Sequence, residues 1–306
     1  MSGPLVLIGF MGAGKTALGR RLAEQRGVPF GDSDALVEAR AGRTIAEIFS
    51  EQGEPAFREL ERDVVLDALR SGQDGVLALG GGAPLTPQIA DALTGRDVVW
   101  LDAGADTAWE RVQGSDRPLA RDRSAFTALH AERAATYARL ARAAVPSLTP
   151  DTLCDADEAL SVLAGAPGEV RMAWGVTASA SYPAFVGPGA LGLLAPGAGG
   201  RRVVVTDEVV GELHAGLVGE MAGLIEIEAG EQHKTLATTE RVWQAMVAQG
   251  LTRADHVLAL GGGVVGDLAG FAAACFQRGI PVVQAPTTVV SQVDSAYGGK
   301  TGVDLP

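Results

Sequence analysis

The feature that most constrains this chain is an eight-residue loop near its start, Gly9-Phe10-Met11-Gly12-Ala13-Gly14-Lys15-Thr16, which fits the pattern G-x-x-x-x-G-K-[ST] in full. An apolar run precedes the loop, and residues 17–25 have helical periodicity. A strand, a glycine-rich turn and a helix N-terminus form the geometry that surrounds phosphate groups. The pattern predicts a nucleotide site whose contacts are Gly12, Ala13, Gly14, Lys15, Thr16 and Ala17, with the Thr16 hydroxyl as a ligand of Mg²⁺.

The composition restricts the remaining possibilities. With 306 residues and 47% hydrophobic content, the chain is long enough for two domains of ordinary size. Its formal net charge of −12 argues against a nucleic-acid-binding surface and against attachment to an anionic membrane. Two cysteines are too few for a disulfide framework, and no signal peptide is recognisable. No apolar run approaches the roughly 18 residues that span a bilayer. We therefore expect a cytoplasmic protein.

Short apolar runs alternate with helical patterns along both halves of the chain, which is typical of parallel sheets with crossover helices. In the first half the predicted strands are residues 5–8, 76–79, 98–101 and a last one near 145–148. A segment of small residues at 164–168 separates this half from a new strand pattern at 170–176. We predict an α/β domain at residues 1–166 and a second α/β domain at residues 167–306.

Two carboxylates follow the predicted second strand, in Asp32-Ser33-Asp34. Ligands of open α/β sheets bind at the carboxyl edge, where one carboxylate can hold Mg²⁺ through water and the other can bind a substrate hydroxyl. A helix cap is the alternative interpretation, since Asp and Ser favour that position.

Three further segments of the first half are candidates for ligand contact. Arg58 lies near the start of a long helix, although a solvated surface charge is the usual role of such an arginine. Gly80-Gly81-Gly82 directly follows a predicted strand and would let the backbone approach a ligand closely. The polar segment 114–119 would form a mobile lid that carries a cation, Arg117.

Together these motifs resemble those of the shikimate kinase family, over residues 3 to about 165. Gly-x-x-Gly-x-Gly-Lys-Thr, Asp-Ser-Asp, Gly-Glu-x-x-Phe-Arg, Gly-Gly-Gly and Arg-Pro-Leu occur in the family's order. Arg133-Ala134-Ala135-Thr136-Tyr137 is similar to the family's Arg-x-x-x-Tyr helix. The resemblance implies a P-loop NTPase fold and transfer of the ATP γ-phosphate to a hydroxyl of shikimate, in the route to chorismate and the aromatic amino acids.

The resemblance also implies a role for each matching residue. Shikimate would be bound by Asp34, Arg58, Gly80, Gly81, Gly82 and Arg133, and paired arginines suit its carboxylate. Mg²⁺ would be held by Thr16 and, through water, by Asp32. Lys15 and Arg117 would neutralise charge on the transferring phosphoryl group, and Asp34 would act as a base or as an orienting acceptor. Arg111 is a weaker candidate for a nucleotide contact. Another small-metabolite kinase, such as a gluconate or nucleoside monophosphate kinase, is the alternative.

A second glycine signal lies in the second half, where an apolar strand runs into Gly261-Gly262-Gly263-Val264-Val265-Gly266-Asp267 and then a helix. Alone, such a cluster also fits close packing of a helix on a strand. It is accompanied by Glu231, Lys234, Thr287, Thr288, Asp294 and Lys300 in further short motifs. We expect His233 to be an ordinary surface histidine, because no partner at metal-binding spacing accompanies it.

This second set resembles the N-terminal, NAD-binding domain of 3-dehydroquinate synthase, from about Tyr182 onward. The resemblance implies a Rossmann-like fold that binds NAD through Asp207, Glu231, Lys234, Gly263, Val264, Val265, Gly266, Asp267, Thr287, Thr288 and Lys300. Asp294 and Lys300 would also face the substrate of the synthase. The glycerol and iron-dependent alcohol dehydrogenases share the glycine signal and are the alternative for this half.

The resemblance to the synthase stops at Pro306, before the helical domain that carries the family's zinc ligands. The four histidines of the chain have no zinc-binding spacing. We therefore expect a working kinase fused to a synthase half that has lost lyase activity, binds NAD weakly, exposes apolar surface and forms a homodimer. The alternative is a non-catalytic module for NAD binding or dimerisation.

Overall fold

The computed structural model describes residues 3–113, 122–146, 150–177, 181–193 and 199–305. It divides into two compact units, Met1–Leu160 with Arg171–Trp174 and Ser161–Val170 with Gly175–Pro306. The domain boundary placed between residues 166 and 167 from the sequence stays a prediction. Among the helices described, none combines the length and the apolar character needed to cross a membrane.

The first unit is built on a parallel sheet. Its strands are β1 (Leu5–Ile8), β2 (Phe30–Asp32), β3 (Val76–Ala78), β4 (Val98–Asp102), β5 (Ala143–Pro146) and β6 (Arg171–Val176), the last contributing its first four residues to this unit. Within the unit the strand order is β2-β3-β1-β4-β5-β6, and neighbouring strands are parallel. The central strand β1 pairs with β3 on one side and β4 on the other, so that Val6 lies opposite Leu77 and Val98.

In the described residues, α-helices alternate with these strands. They are α1 (Lys15–Arg26), α2 (Ser33–Ala41), α3 (Ile45–Arg70), α4 (Pro87–Leu93), α5 (Ala105–Val112), α6 (Arg123–Leu140) and α7 (Pro150–Gly165), which ends in the second unit. Local caps explain several starts: Thr44 and Glu47 form a capping box on α3, and Asp122 accepts hydrogen bonds from the first amides of α6. Helix α3 is broken at Gly53, whose φ of 81° is non-helical.

Because helices cover both faces of the sheet, its two central strands β1 and β3 are apolar along their whole length. All four residues of β1 are buried, and so are all three of β3. Two aromatic side chains of α6, Phe126 and Tyr137, are also buried, and Phe126 packs edge-on against Phe10 at 4.9 Å between ring centroids. This packing fixes the loop after β1 against α6.

The second unit contains a separate parallel sheet. Its elements are β7 (Ser181–Val186), β8 (Arg202–Asp207), α8 (Glu208–His214), β9 (Gly223–Ile227), α9 (Leu236–Ala248), β10 (His256–Gly261), α10 (Gly263–Cys275) and β11 (Val282–Pro286). Four of these strands form the order β11-β10-β8-β9, all parallel. The sheet core includes Val203, Val205 and Val257, and α10 packs on it through Leu268 and neighbouring alanines.

The predicted fold class, two α/β domains with parallel sheets, is confirmed. Details differ from the sequence-based expectation at element ends. Helix α1 begins at Lys15, not Ala17, because Gly14 in a left-handed conformation already closes the loop. The strand predicted near 145–148 begins at Ala143. A π-helical turn at Ser291–Ser295 was not predicted.

Candidate active site

The glycine-rich loop of residues 9–16 joins the carboxyl end of β1 to the N-terminus of α1. Its tight course depends on glycine at position 12, where φ is 78° and a Cβ would lie 2.5 Å from the carbonyl oxygen of Ala108. No L side chain fits there without displacing the backbone of α5. The loop therefore wraps around the first amides of α1, which together with the helix dipole favour a bound anion.

Two cations lie against this loop. Lys15 Nζ donates hydrogen bonds to the carbonyl oxygens of Gly9 at 2.8 Å and Phe10 at 3.0 Å. From α5, Arg111 Nη1 donates to the carbonyl oxygen of Gly12 at 3.2 Å. Arg111, the weaker sequence candidate, is therefore attached to the loop. Of the other residues predicted to contact the nucleotide, Gly14 is the N-cap of α1, and Thr16 and Ala17 lie in its first turn.

Asp32 has two roles at the end of β2. Its Oδ2 accepts a hydrogen bond from Thr16 Oγ1 at 2.7 Å, and its Oδ1 accepts from the backbone amide of Asp34 at 3.0 Å. The second contact makes Asp32 the N-cap of α2. Asp32 thus caps the helix with one carboxylate oxygen and contacts Thr16 with the other, so the two interpretations are compatible. A hydroxyl and a carboxylate in contact are oxygen donors of the kind that Mg²⁺ prefers.

The triple-glycine loop follows β3 at the same edge of the sheet. The amide of Gly80 donates to Ser33 Oγ at 2.8 Å, and the Tyr137 hydroxyl donates to the carbonyl oxygen of Gly81 at 2.6 Å. In the part of the chain that is described, the amide N–H groups of Gly81 and Gly82 have no protein acceptor. These two donors are available to an anion.

Arg58 projects from α3 beside this loop. Its Nη1 pairs with Glu61 Oε2 at 2.7 Å, and its Nη2 pairs with Glu54 Oε1 at 3.0 Å. Glu61 is 1% exposed, and burial raises the pKa of its carboxyl, an effect that the charge and hydrogen bond of Arg58 oppose. Burial alone would lower the pKa of Arg58, but its two glutamate partners outweigh burial and raise it. Arg58 is therefore a fixed cation, not a mobile surface charge.

Arg133 lies on the α6 side of the site. Its guanidinium carbon is 5.5 Å from the centre of the Phe10 ring, and its buried Nε has no hydrogen-bond partner among the described residues. Burial raises the pKa of the neighbouring Tyr137 to about 12, and the positive charge of Arg133 limits the rise. An unpaired buried guanidinium N–H is the kind of group that a carboxylate or phosphate ligand satisfies.

The structure thus brings the loop, Asp32, Asp34, Arg58, Gly80–Gly82 and Arg133 to one edge of the first sheet. Arg117, the predicted lid cation, lies outside the described residues. Sequence reasoning missed Ser33 and Glu61 as partners of this edge. Glu61 could have been found, because a glutamate three residues after Arg58 lies on the same helix face. The roles assigned to individual residues stay predictions.

The second unit has its own set of polar residues at the carboxyl edge of its sheet. Strand β10 ends at Gly261, from which the chain turns into α10, and Thr287 after β11 donates its amide to the carbonyl oxygen of Gly261 at 2.9 Å. The Thr287 hydroxyl is buried and has no partner among the described residues. A Cβ on Gly262 would lie 3.2 Å from Thr288 Cγ2, so this turn is closely packed.

Three ion pairs join further candidates of this unit. Lys234 Nζ lies 3.0 Å from Asp267 Oδ2 and 3.2 Å from Glu231 Oε1, and the hydrogen bond to Asp267 is the main cause of the raised pKa of Lys234. Lys300 Nζ lies 2.6 Å from Asp294 Oδ1, which raises the pKa of Lys300. The predicted lysines are therefore held by predicted carboxylates.

Asp207 ends β8 and caps α8, since its Oδ1 accepts from the amides of Val209 at 3.1 Å and Val210 at 2.8 Å. His233 Nδ1 pairs with Glu228 Oε2 at 2.8 Å. Over the described ranges, no group of three or more His, Cys, Asp or Glu side chains is arranged to hold a metal ion.

The first unit is a phosphate-loop nucleotide-binding domain with Arg58 and Arg133 at the same sheet edge as the loop, and the second is an α/β domain with a glycine turn of the dinucleotide-binding type. The shikimate kinase family model matches residues 11–163, and the model for the N-terminal domain of 3-dehydroquinate synthase matches residues 224–306. The chain therefore belongs to the shikimate kinase family, and its residues 224–306 are similar to the N-terminal domain of 3-dehydroquinate synthase.

Individual relatives agree with both assignments. The shikimate kinase of Mycobacterium avium is 48% identical over 145 residues, which is 46% of this chain and 82% of that protein. The 3-dehydroquinate synthase of Methylococcus capsulatus is 48% identical over 134 residues, which is 41% of this chain and 37% of that protein. The chain thus spans about a third of the length of the synthases it matches. A solved shikimate kinase from Acinetobacter baumannii in complex with shikimate is 32% identical, covering 53% of this chain and 93% of that one, with a TM-score of 0.49.

Proposed function

We propose that the first unit transfers the γ-phosphate of ATP to a hydroxyl group of shikimate. The observation that carries the proposal is a group of N–H donors at the same sheet edge as the phosphate loop. Arg58 lies there next to Gly82, and among the described residues neither the buried Nε of Arg133 nor the amides of Gly81 and Gly82 have a protein partner. Such a set of donors suits a small carboxylate, and its position next to the loop suits phosphorylation of the same molecule.

The residues at the loop fit ATP and Mg²⁺. The loop amides and Lys15 would hold the phosphates, while Thr16 and Asp32 would supply oxygen ligands to the metal, Asp32 acting through water. When bound, Mg²⁺ neutralises charge on the phosphates. In phosphoryl transfer the protein mainly aligns the reactants and stabilises charge, so Lys15 is the residue whose loss should affect turnover most. We propose that Arg117, like Lys15, stabilises the charge on the transferring phosphoryl group.

Asp34 would receive the attacking hydroxyl of shikimate. It lies in the first turn of α2, two residues after the metal candidate Asp32, and its Oδ1 lies 2.8 Å from where a Cβ on Gly80 would be. Its position beside the glycine loop supports this role, because a carboxylate there can accept a hydrogen bond from the hydroxyl and orient it.

The test is coupled ADP release by the purified chain with ATP, Mg²⁺ and shikimate, run beside quinate, gluconate and a nucleoside monophosphate. Of the four acceptors, we expect only shikimate to be phosphorylated. In Lys15→Ala we expect kcat to fall on the order of 100-fold or more, without an equal loss of stability. Lys300→Ala is the matched control, since it removes a lysine of the second unit. Turnover confined to another acceptor would keep the phosphate-loop assignment and refute the shikimate pocket, whereas equal losses of activity and folding in Lys15→Ala would refute the catalytic role.

For the second unit we propose binding of NAD at the turn after β10. The close glycine turn, the Lys234–Asp267 pair and the buried Thr287 hydroxyl, which has no partner among the described residues, support this, because a dinucleotide needs close backbone approach and polar partners. The residues given above for NAD would contact it, with Asp294 and Lys300 facing the synthase substrate. Calorimetric titration with NAD tests the proposal, with Asp267→Asn as the variant expected to bind more weakly. Undetectable binding at millimolar NAD would leave a packing or dimerisation role, which sedimentation would then identify.

A further inference from the structure

Two buried side chains, on different helices, form hydrogen bonds to the backbone of the triple-glycine loop. Ser33 Oγ, in a residue with 0% exposure, accepts the hydrogen bond of Gly80 N at 2.8 Å. Tyr137, 1% exposed, donates its hydroxyl hydrogen to the carbonyl oxygen of Gly81 at 2.6 Å. Neither side chain is among the predicted ligands. Glycine has no side chain to restrict its own backbone, so these two hydrogen bonds set the course of the loop.

Because a peptide unit is planar, the hydrogen bond from Tyr137 to the Gly81 carbonyl also orients the Gly82 N–H, which points to the opposite side of the loop. The carbonyl of Gly81 and the amide of Gly82 belong to one trans peptide unit and point in opposite directions. Holding the carbonyl therefore fixes the direction of the Gly82 N–H, which has no protein acceptor among the residues described. Gly82 also lies against Arg58, whose Cζ would be 2.8 Å from a Cβ at this position. An oriented amide and a guanidinium thus lie side by side.

Tyr137 is itself placed by rigid surroundings. It lies one helical turn after Arg133, so the two side chains share a face of α6. Its ring packs against Trp100 of β4 at 6.3 Å between ring centroids. Gly81 is held between Tyr137 and the phosphate loop, because a Cβ on Gly81 would lie 3.7 Å from the tyrosine hydroxyl and 3.4 Å from the carbonyl oxygen of Gly9. A change at the Tyr137 hydroxyl therefore affects the glycine loop and also Arg133, whose side chain is hydrogen-bonded to Tyr137, whereas Ser33 acts on the loop through Gly80.

We infer that Tyr137 is a positioning residue for the acceptor, whose hydroxyl aligns the Gly82 amide with Arg58 to receive the carboxylate. Ser33 is the second anchor of the same loop. The inference rests on the proposed function, since it takes a carboxylate as the acceptor's recognised group. It assigns to the tyrosine of the Arg-x-x-x-Tyr helix a purpose other than filling the core.

The test uses Tyr137→Phe in the full chain, which keeps the ring and removes only the hydroxyl. We expect the KM for shikimate to rise about tenfold, while kcat and the KM for ATP stay within about twofold of the unmodified chain. Ser33→Ala should have the same selective effect. Tyr182→Phe is the matched control, because it also removes one tyrosine hydroxyl, the acceptor of Gly298 N at 3.0 Å in the second unit.

An unchanged shikimate KM in Tyr137→Phe would overturn the inference. So would a parallel change of both KM values and kcat together with a lower melting temperature, since that is the result of a purely structural role. If Tyr137→Phe does not fold, Ser33→Ala decides by the same criteria. If the unmodified chain does not use shikimate, the proposed function fails. The KM values of the variants are then compared on the acceptor that the chain does use. A rise in KM that is limited to carboxylate acceptors supports the inference.

Discussion

Replacing Gly80 with alanine should damage acceptor binding far more than folding. Gly80 does not have a positive φ, so alanine is compatible with the backbone there. The added methyl would lie 2.8 Å from Asp34 Oδ1 and 2.8 Å from Glu61 Oε1, whereas ordinary van der Waals contact begins at 3.4 Å. Both oxygens are the ends of side chains that can turn away. The conflict is therefore relieved by moving the two carboxylates.

The size of each effect follows from these contacts. Overpacking a site by one methyl costs about 1–3 kcal/mol, and since both carboxylates can yield we expect about 1 kcal/mol in the free energy of unfolding. Catalysis is more sensitive. Asp34 is proposed to orient the acceptor hydroxyl and Glu61 holds Arg58 at 2.7 Å, so a displacement of about 1 Å should lower kcat/KM for shikimate on the order of 100-fold.

Initial rates with varied shikimate and urea unfolding measure the two quantities on the same preparation. Gly165→Ala is the matched control, because a Cβ there meets no atom within 4 Å and φ is not positive. A kcat/KM within about threefold of the unmodified chain would refute the reasoning, as would a stability loss large enough to account for the missing activity.

Two further predictions concern the second unit. Asp207→Ala should lower its free energy of unfolding by about 1 kcal/mol, because α8 loses its N-cap, whereas Asp207→Asn should retain most of the stability; equal urea midpoints for the three proteins would contradict the cap. Burial lowers the pKa of His256 from its ordinary 6.5, and the nearby charge of Arg202 adds to this while Asp255 opposes it. The unfolded chain then binds the proton more readily, so stability is fully present above pH 6.5 and falls as the pH drops toward the folded pKa, by at most about 1.4 kcal/mol per unit. Urea unfolding at several pH values should show this slope reduced in His256→Asn, and an identical slope in both proteins would argue against it.

The sequence predicts those parts of the first site whose residues lie close together along the chain. A strand, a glycine loop and a helix follow one another in residues 5–26, so the phosphate loop and its surroundings are local. Asp32 is similar, because its position after β2 is enough to place it at the carboxyl edge. Parallel strands then bring these ends together, which is why a correct fold class already clusters the residues.

The contacts that tune the site join distant segments and have no sequence pattern. Tyr137 and Gly81 are 56 residues apart, and Ser33 and Gly80 are 47 apart. Their pairing depends on how α2 and α6 pack on the sheet, which periodicity does not specify. In the second unit the same holds for Lys234, because its contact with Asp267 at 3.0 Å depends on the approach of α10 to the segment before α9.

The break at Gly53 makes the two parts of α3 independent in helical phase. Residues before it are fixed by the capping box at Thr44 and Glu47, while Pro55 opens a new helical segment that carries Arg58. An extra residue before Gly53 can be absorbed at the break, leaving the direction of Arg58 unchanged. The same insertion between Pro55 and Arg58 would rotate the arginine by about 100° around the helix axis, away from the glycine loop. Length variation should therefore be tolerated in the first segment of this helix and excluded from the second.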